Sequence, residues 1–179
     1  KVKLWFCSSF YMQVLHSACT HALLLSIIGI CVLVEILLQG ADGELFGSSS
    51  WRVTAYHNGG FWRGLLYNWH PNYPGQSLMM FASYGFLHSG FFHMLVNMIT
   101  LMSLGRSVIE RVGQLKFALI YVISLLGGAV GFAILSKALQ PMVGASGALF
   151  GLAGILLKWE YTARRQMDDQ IKPVLWIMG

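Results

Sequence analysis

Apolar residues run in long unbroken stretches along this chain, and charged residues are confined mostly to the gaps between them. Residues 4–34, 64–105, 117–136 and 138–157 contain no Asp, Glu, Lys or Arg. A helix needs roughly 20 apolar residues to cross the hydrocarbon core of a bilayer. On that measure Ala18 to Leu38 forms a first span, interrupted only by Glu35. The run 64–105 is broken early by Pro71, Pro74 and Gly75, so the second span begins at Phe91 and ends near Ser107. The third and fourth spans fill 117–136 and 138–157, divided at Lys137, with Gln140 and Pro141 close behind. A fifth begins at Pro173, but the residues to Gly179 cover only about 10 Å of helix. Backbone inside lipid must satisfy its polar groups internally, and strand-like alternation is absent, so these runs are predicted to be helices. The expected fold is an all-α polytopic membrane bundle with four complete spans and the start of a fifth. Its parts are a first span at 18–39, an external loop at 40–77 and a core at 78–160, within one membrane domain over 1–179.

Composition agrees. The chain is 56% apolar and 11% charged, with a mean hydropathy of +0.61. A soluble domain is roughly 45–50% apolar and about 25% charged. A disordered chain, a coiled coil and a charge-driven nucleic-acid binder are excluded, and the partner of first interest is the lipid bilayer. The net charge of +5 then bears on topology. With the N-terminus inside, nine of the twelve Lys and Arg are cytoplasmic, and Arg52, Arg63 and Lys137 are outside. The expected location is a bacterial cell membrane. The external loop carries Trp51, Tyr56, Trp62, Tyr67, Trp69 and Tyr73, an aromatic set suited to the headgroup layer. Cys7, Cys19 and Cys31 are too few and too scattered for a disulfide framework and read as buried small hydrophobes. A signal peptide over 1–22 competes for the first stretch, which however runs on past a signal's apolar region. Gly127/Gly131 and Gly147/Gly151 predict close contact between the third and fourth spans.

Polar residues inside a span are costly and face the bundle interior or water. His93, Asn97 and Thr100 share one face of the second span, and His88 stands just before it. They either bond to neighbouring helices or belong to a site. A metal centre does not fit, because His88 and His93 are off-face and no acidic residue or cysteine is near. The second polar feature is Gly144-Ala145-Ser146-Gly147, where a loop enters the fourth span. Ser146 is either a helix N-cap or a nucleophile on a glycine-flanked turn beside backbone N–H groups.

Together, His88-x4-His93-x3-Asn97, the Leu-Gly-Arg-Ser-Val-Ile-Glu-Arg-Val-Gly stretch at 104–113 and Gly144-Ala-Ser-Gly147 resemble the rhomboid family of intramembrane serine proteases, over about 78–160. The resemblance implies a six-helix core with a serine–histidine dyad opened to water inside the bilayer. It implies Ser146 as nucleophile, His93 and Asn97 as oxyanion stabilisers, and His88, Gly144 and Gly147 in support. No metal or other cofactor is implied, and the substrate would be a single-span membrane protein cut in or near its membrane segment. The family's general base lies on its sixth helix, whereas the six histidines here (16, 21, 57, 70, 88 and 93) all precede Ser146. The family also has a Trp-Arg pair shortly before its histidine cluster; Trp62-Arg63 lies 25 residues before His88, so that role is not carried over to it. The expectation is therefore a protease cut off before its base, inactive as these 179 residues alone. The alternatives are an inactive relative that binds transmembrane clients, and a small transporter lined by His93, Asn97 and Thr100.

Overall fold

The structure, a computed structural model, describes residues 21–166. Cys7, Cys19, most of the candidate signal segment and the fifth span from Pro173 lie outside the described residues. Among the described residues six α-helices follow one another: α1 Ala22–Asp42, α2 Ser50–Gly59, α3 Gln76–Ser83, α4 Phe91–Val112, α5 Gln114–Leu135 and α6 Ser146–Gln166. Short 3-10 turns stand at Arg63–Leu66 and Tyr84–Phe86. Extended pairing among the described residues is limited to one antiparallel bridge, Phe61 with Met142.

Three of these helices, α1, α4 and α5, are long and apolar enough to cross a membrane. The chain is an integral membrane protein built as a helical bundle. The second span starts at Phe91 as the uncharged run predicts, and continues to Val112. The fourth differs from expectation. Residues 138–145 form a loop, and the helix begins only at Ser146. Lys158, Glu160, Arg164 and Arg165 occupy its far half. Its uncharged part, 146–157, is about 18 Å long, against a hydrocarbon core of roughly 30 Å. Pro141 and Gly144 explain the late start, because the first interrupts helical bonding and the second has φ +117°, outside the helical region.

In α4 the buried residues Met94, Asn97, Met98, Leu101, Gly105, Val108 and Ile109 recur at helical spacing. That face packs against α1 and α6. The most extensive pairing joins α5 and α6. The predicted contact between these spans is present, but with a different set of small residues on α5. A Cβ on Gly128 would stand 2.7 Å from the Gly147 Cα, and Ser124 fills the space beside Gly151. Gly127 and Gly131 have nothing within 4 Å. The small-residue pair on α5 is therefore Ser124 and Gly128, one turn apart on the facing side. Tyr84 seals this crossing, fully buried, its hydroxyl donating to the Leu125 carbonyl at 2.7 Å.

Candidate active site

The segment from Tyr84 to Gly90 links the fold to the site, and its backbone carbonyls receive bonds from several directions. Tyr84 O accepts the Gly144 N–H at 2.9 Å. Gly85 O lies 3.8 Å from the thiol of buried Cys31 on α1. His88 O accepts the Tyr56 hydroxyl at 2.6 Å and Arg52 at 3.0 Å. Arg52 in turn grips both oxygens of Glu35 on α1, at 2.9 and 3.1 Å, and also bonds Asp42. Glu35, 1% exposed, would be prohibitively placed without this cation. Burial works against the Arg52 charge, but hydrogen bonds to Glu35, Tyr56 and Asp42, with the Glu35 charge, outweigh it and raise the pKa above the usual arginine value.

His88 is fully buried, and its ring meets that of His93 edge-on at 5.4 Å. Burial, with the His93 charge adding to it and the Phe86 backbone opposing, pushes its pKa down to about 4. It is uncharged at neutral pH, and neither ring nitrogen makes a well-formed hydrogen bond within the described residues.

His93 is held by the residue one turn before it. The Ser89 backbone N–H donates to His93 Nδ1 at 3.3 Å, and the Ser89 hydroxyl lies 2.9 Å from the same atom. A backbone N–H only donates, so Nδ1 is an acceptor and the proton of the neutral ring sits on Nε2. That edge of the ring faces Gly144: a Cβ there would stand 2.8 Å from His93 Cε1 and 3.2 Å from Nε2. Only glycine fits this place, both for the φ of +117° and for the contact.

Two residues beyond Gly144, Ser146 opens α6, partly buried. Neither its hydroxyl nor the backbone N–H groups of Ser146 and Gly147 has a partner among the described residues. Ser146 is the first helical residue and its hydroxyl caps nothing, so it lacks the bonding of an N-cap. Asn97 lies one turn along α4 from His93, donating to the His93 carbonyl at 2.8 Å while its buried Oδ1 stays unpartnered. Gly147 contributes close packing against Gly128 and the Tyr84 hydroxyl. Thr100, the third member of the predicted stripe, returns its hydroxyl to Val96 O of its own helix. No group of three His, Cys, Asp or Glu among the described residues is placed to hold a metal ion.

The fold brings His88, His93 and Gly144 together, three residues singled out in the sequence, and holds them through contacts not predicted from it. Ser89 had a signal, being four residues before His93. Glu35 and Arg52 had none, since nothing along the chain pairs a charge inside one span with another across a turn.

Comparison with known proteins places these motifs. The Rhomboid domain profile matches residues 75–179. The chain is 44% identical to RHOMBOID-like protein 5 of Arabidopsis thaliana over 72 residues, 40% of this chain and 23% of that protein. It is 31% identical to Inactive RHOMBOID-like protein 8 of the same plant over 118 residues, 65% of this chain and 31% of that protein. Rhomboid protease GluP of Bacillus subtilis (strain 168) is 38% identical over 71 residues, 40% of this chain and 14% of that protein. The chain thus matches less than a third of the length of each of these relatives.

Proposed function

The chain belongs to the rhomboid family, and on that premise we propose that it carries the nucleophile and oxyanion site of an intramembrane serine endopeptidase. The observation that carries this reading is the approach of the His93 Nε2 edge to Gly144, two residues from an unpaired serine. Ser146 Oγ, giving its proton to the general base, adds to the scissile carbonyl of a transmembrane substrate, whose C=O π bond opens to a tetrahedral oxyanion. The carbonyl oxygen, now an anion, is met by the Nε2–H of His93, the free N–H groups at the head of α6 and the second amide hydrogen of Asn97. Each such donor is worth about 10²–10³ in rate. Because Ser89 holds His93 as a donor, His93 suits this role and does not suit that of general base. The reading takes the base from outside residues 1–179, in a Ser–His dyad. The short apolar part of α6 supports a serine sunk below the membrane surface. With the N-terminal end of α1 cytoplasmic, the α2 loop and the head of α6 face the opposite side.

The test is cleavage of a single-span reporter in membranes by the complete gene product. Ser146→Ala is expected to abolish it, and unchanged cleavage would remove Ser146 as nucleophile. A second reading, a non-cleaving relative that holds transmembrane clients, has one observation behind it: a relative named inactive matches 65% of the chain. A fluorophosphonate probe distinguishes the two. Labelling lost in Ser146→Ala supports the enzyme, while client capture by an unlabelled protein supports the binder.

A further inference from the structure

Beyond the serine, the described residues contain a cavity of about 310 Å³ whose walls include Trp62, Arg63, Tyr67 and Trp69 on one side and Lys137 and Gln140 on the other. It lies where α5 ends. Arg63 donates Nε–H to the carbonyl of Ala133, in the last turn of that membrane-spanning helix, at 2.8 Å. Its guanidinium lies over the Tyr67 ring at 4.9 Å. These two contacts fix the plane of the group and leave both terminal nitrogens without a hydrogen bond among the described residues. Lys137 has no ion-pair partner among them, and neither has Arg63. The ion pairs among the described residues hold Arg52, Arg106 and Arg164. Two cations therefore share one cavity with no carboxylate, beside tryptophans, at the level where a spanning helix emerges.

We propose that this cavity binds the phosphodiester of a membrane lipid headgroup. The fixed fork of Arg63 matches two non-bridging oxygens, and Lys137 adds a point charge. The indole N–H of Trp62 is already given to the Tyr56 carbonyl at 2.7 Å, whereas that of Trp69 is free to bond. The volume accommodates a headgroup and not acyl chains, which stay in the bilayer along α5. The proposal does not depend on Ser146.

The test uses purified protein in detergent, titrated with short-chain phosphatidylglycerol and read by tryptophan fluorescence and by native mass spectrometry. One lipid is expected to bind saturably. Arg63→Gln with Lys137→Gln should weaken it by about tenfold or more, since each removes a charge-assisted contact. Lys137→Gln alone breaks no bond described within the protein and should still weaken binding severalfold. Arg106→Gln, which removes a cation far along α4, should not. Equal binding by the double variant, or by a glycosyl diacylglycerol of the same chain length, would overturn the proposal. Inorganic phosphate competing at similar affinity would overturn the lipid as occupant and assign the cavity to soluble phosphate.

Discussion

Arg52 on α2 and Arg63 in the 3-10 turn that follows both lie between the spanning helices α1 and α4, and the protein treats them in opposite ways. Arg52 is wrapped: a bidentate grip on buried Glu35, a bond to Asp42, and another to the His88 carbonyl. Arg63 has one backbone contact and an aromatic ring, and its remaining donors face an open cavity. The first arrangement consumes the charge within the fold, where removing one partner is costly. The second holds the charge rigidly and leaves it unspent, which is how a protein prepares for an anion it does not itself supply.

The largest test of this contrast is Arg52→Met. It strands Glu35 in an apolar interior, and breaking such a pair costs about 3–5 kcal/mol. A fall of that size is expected in thermal unfolding in detergent. Pairing it with Glu35→Gln should recover part of the loss, and no recovery would mean that Glu35 is not the partner that matters.

A smaller effect concerns His88, at the other end of the clamp. Its folded pKa is depressed, from 6.5 to about 4. Its contribution is full above pH 6.5 and is lost as pH falls from there toward 4, because the unfolded chain takes up a proton that the folded chain refuses. The loss approaches about 3 kcal/mol. Unfolding measured across that window should show this slope in the parent and lack it in His88→Gln. A slope persisting in the variant would place the acid sensitivity elsewhere.

The smallest effect is expected at Arg63. With no buried carboxylate to strand, Arg63→Gln should cost about 1 kcal/mol or less in lipid-free detergent, the value of a single hydrogen bond. A loss as large as that of Arg52→Met would erase the distinction between the two arginines.

Much of this was legible in the sequence, for a physical reason. Helical spacing alone puts His93 and Asn97 on one face, and a lipid environment leaves a charge-free run few alternatives to a helix. The uncharged run 138–157 overstates the fourth span because hydropathy does not distinguish an apolar loop from an apolar helix, whereas Gly144-Ala-Ser-Gly147 marks where the loop enters the helix. The facing pair on α5 was also misread. Gly127 and Gly128 are equally small, and only the rotation of the packed helix selects the second. Glu35 looked like a blemish at the end of a span and Arg52 like one external cation among three. Their pairing depends on the turn between α1 and α2, which no periodicity encodes.

Four bonds that reach residues 84–88 from elsewhere in the fold end on main-chain oxygens, those of Tyr84, Gly85 and His88. No point substitution deletes a carbonyl. A side-chain substitution in this stretch therefore leaves those acceptors in place, although Tyr84 and His88 are fully buried and the Tyr84 hydroxyl makes a bond of its own. Those side-chain contacts can be deleted only from the donor's side, so the hold on the His88 carbonyl is lost by substitution at Arg52 or Tyr56 and not at His88 itself.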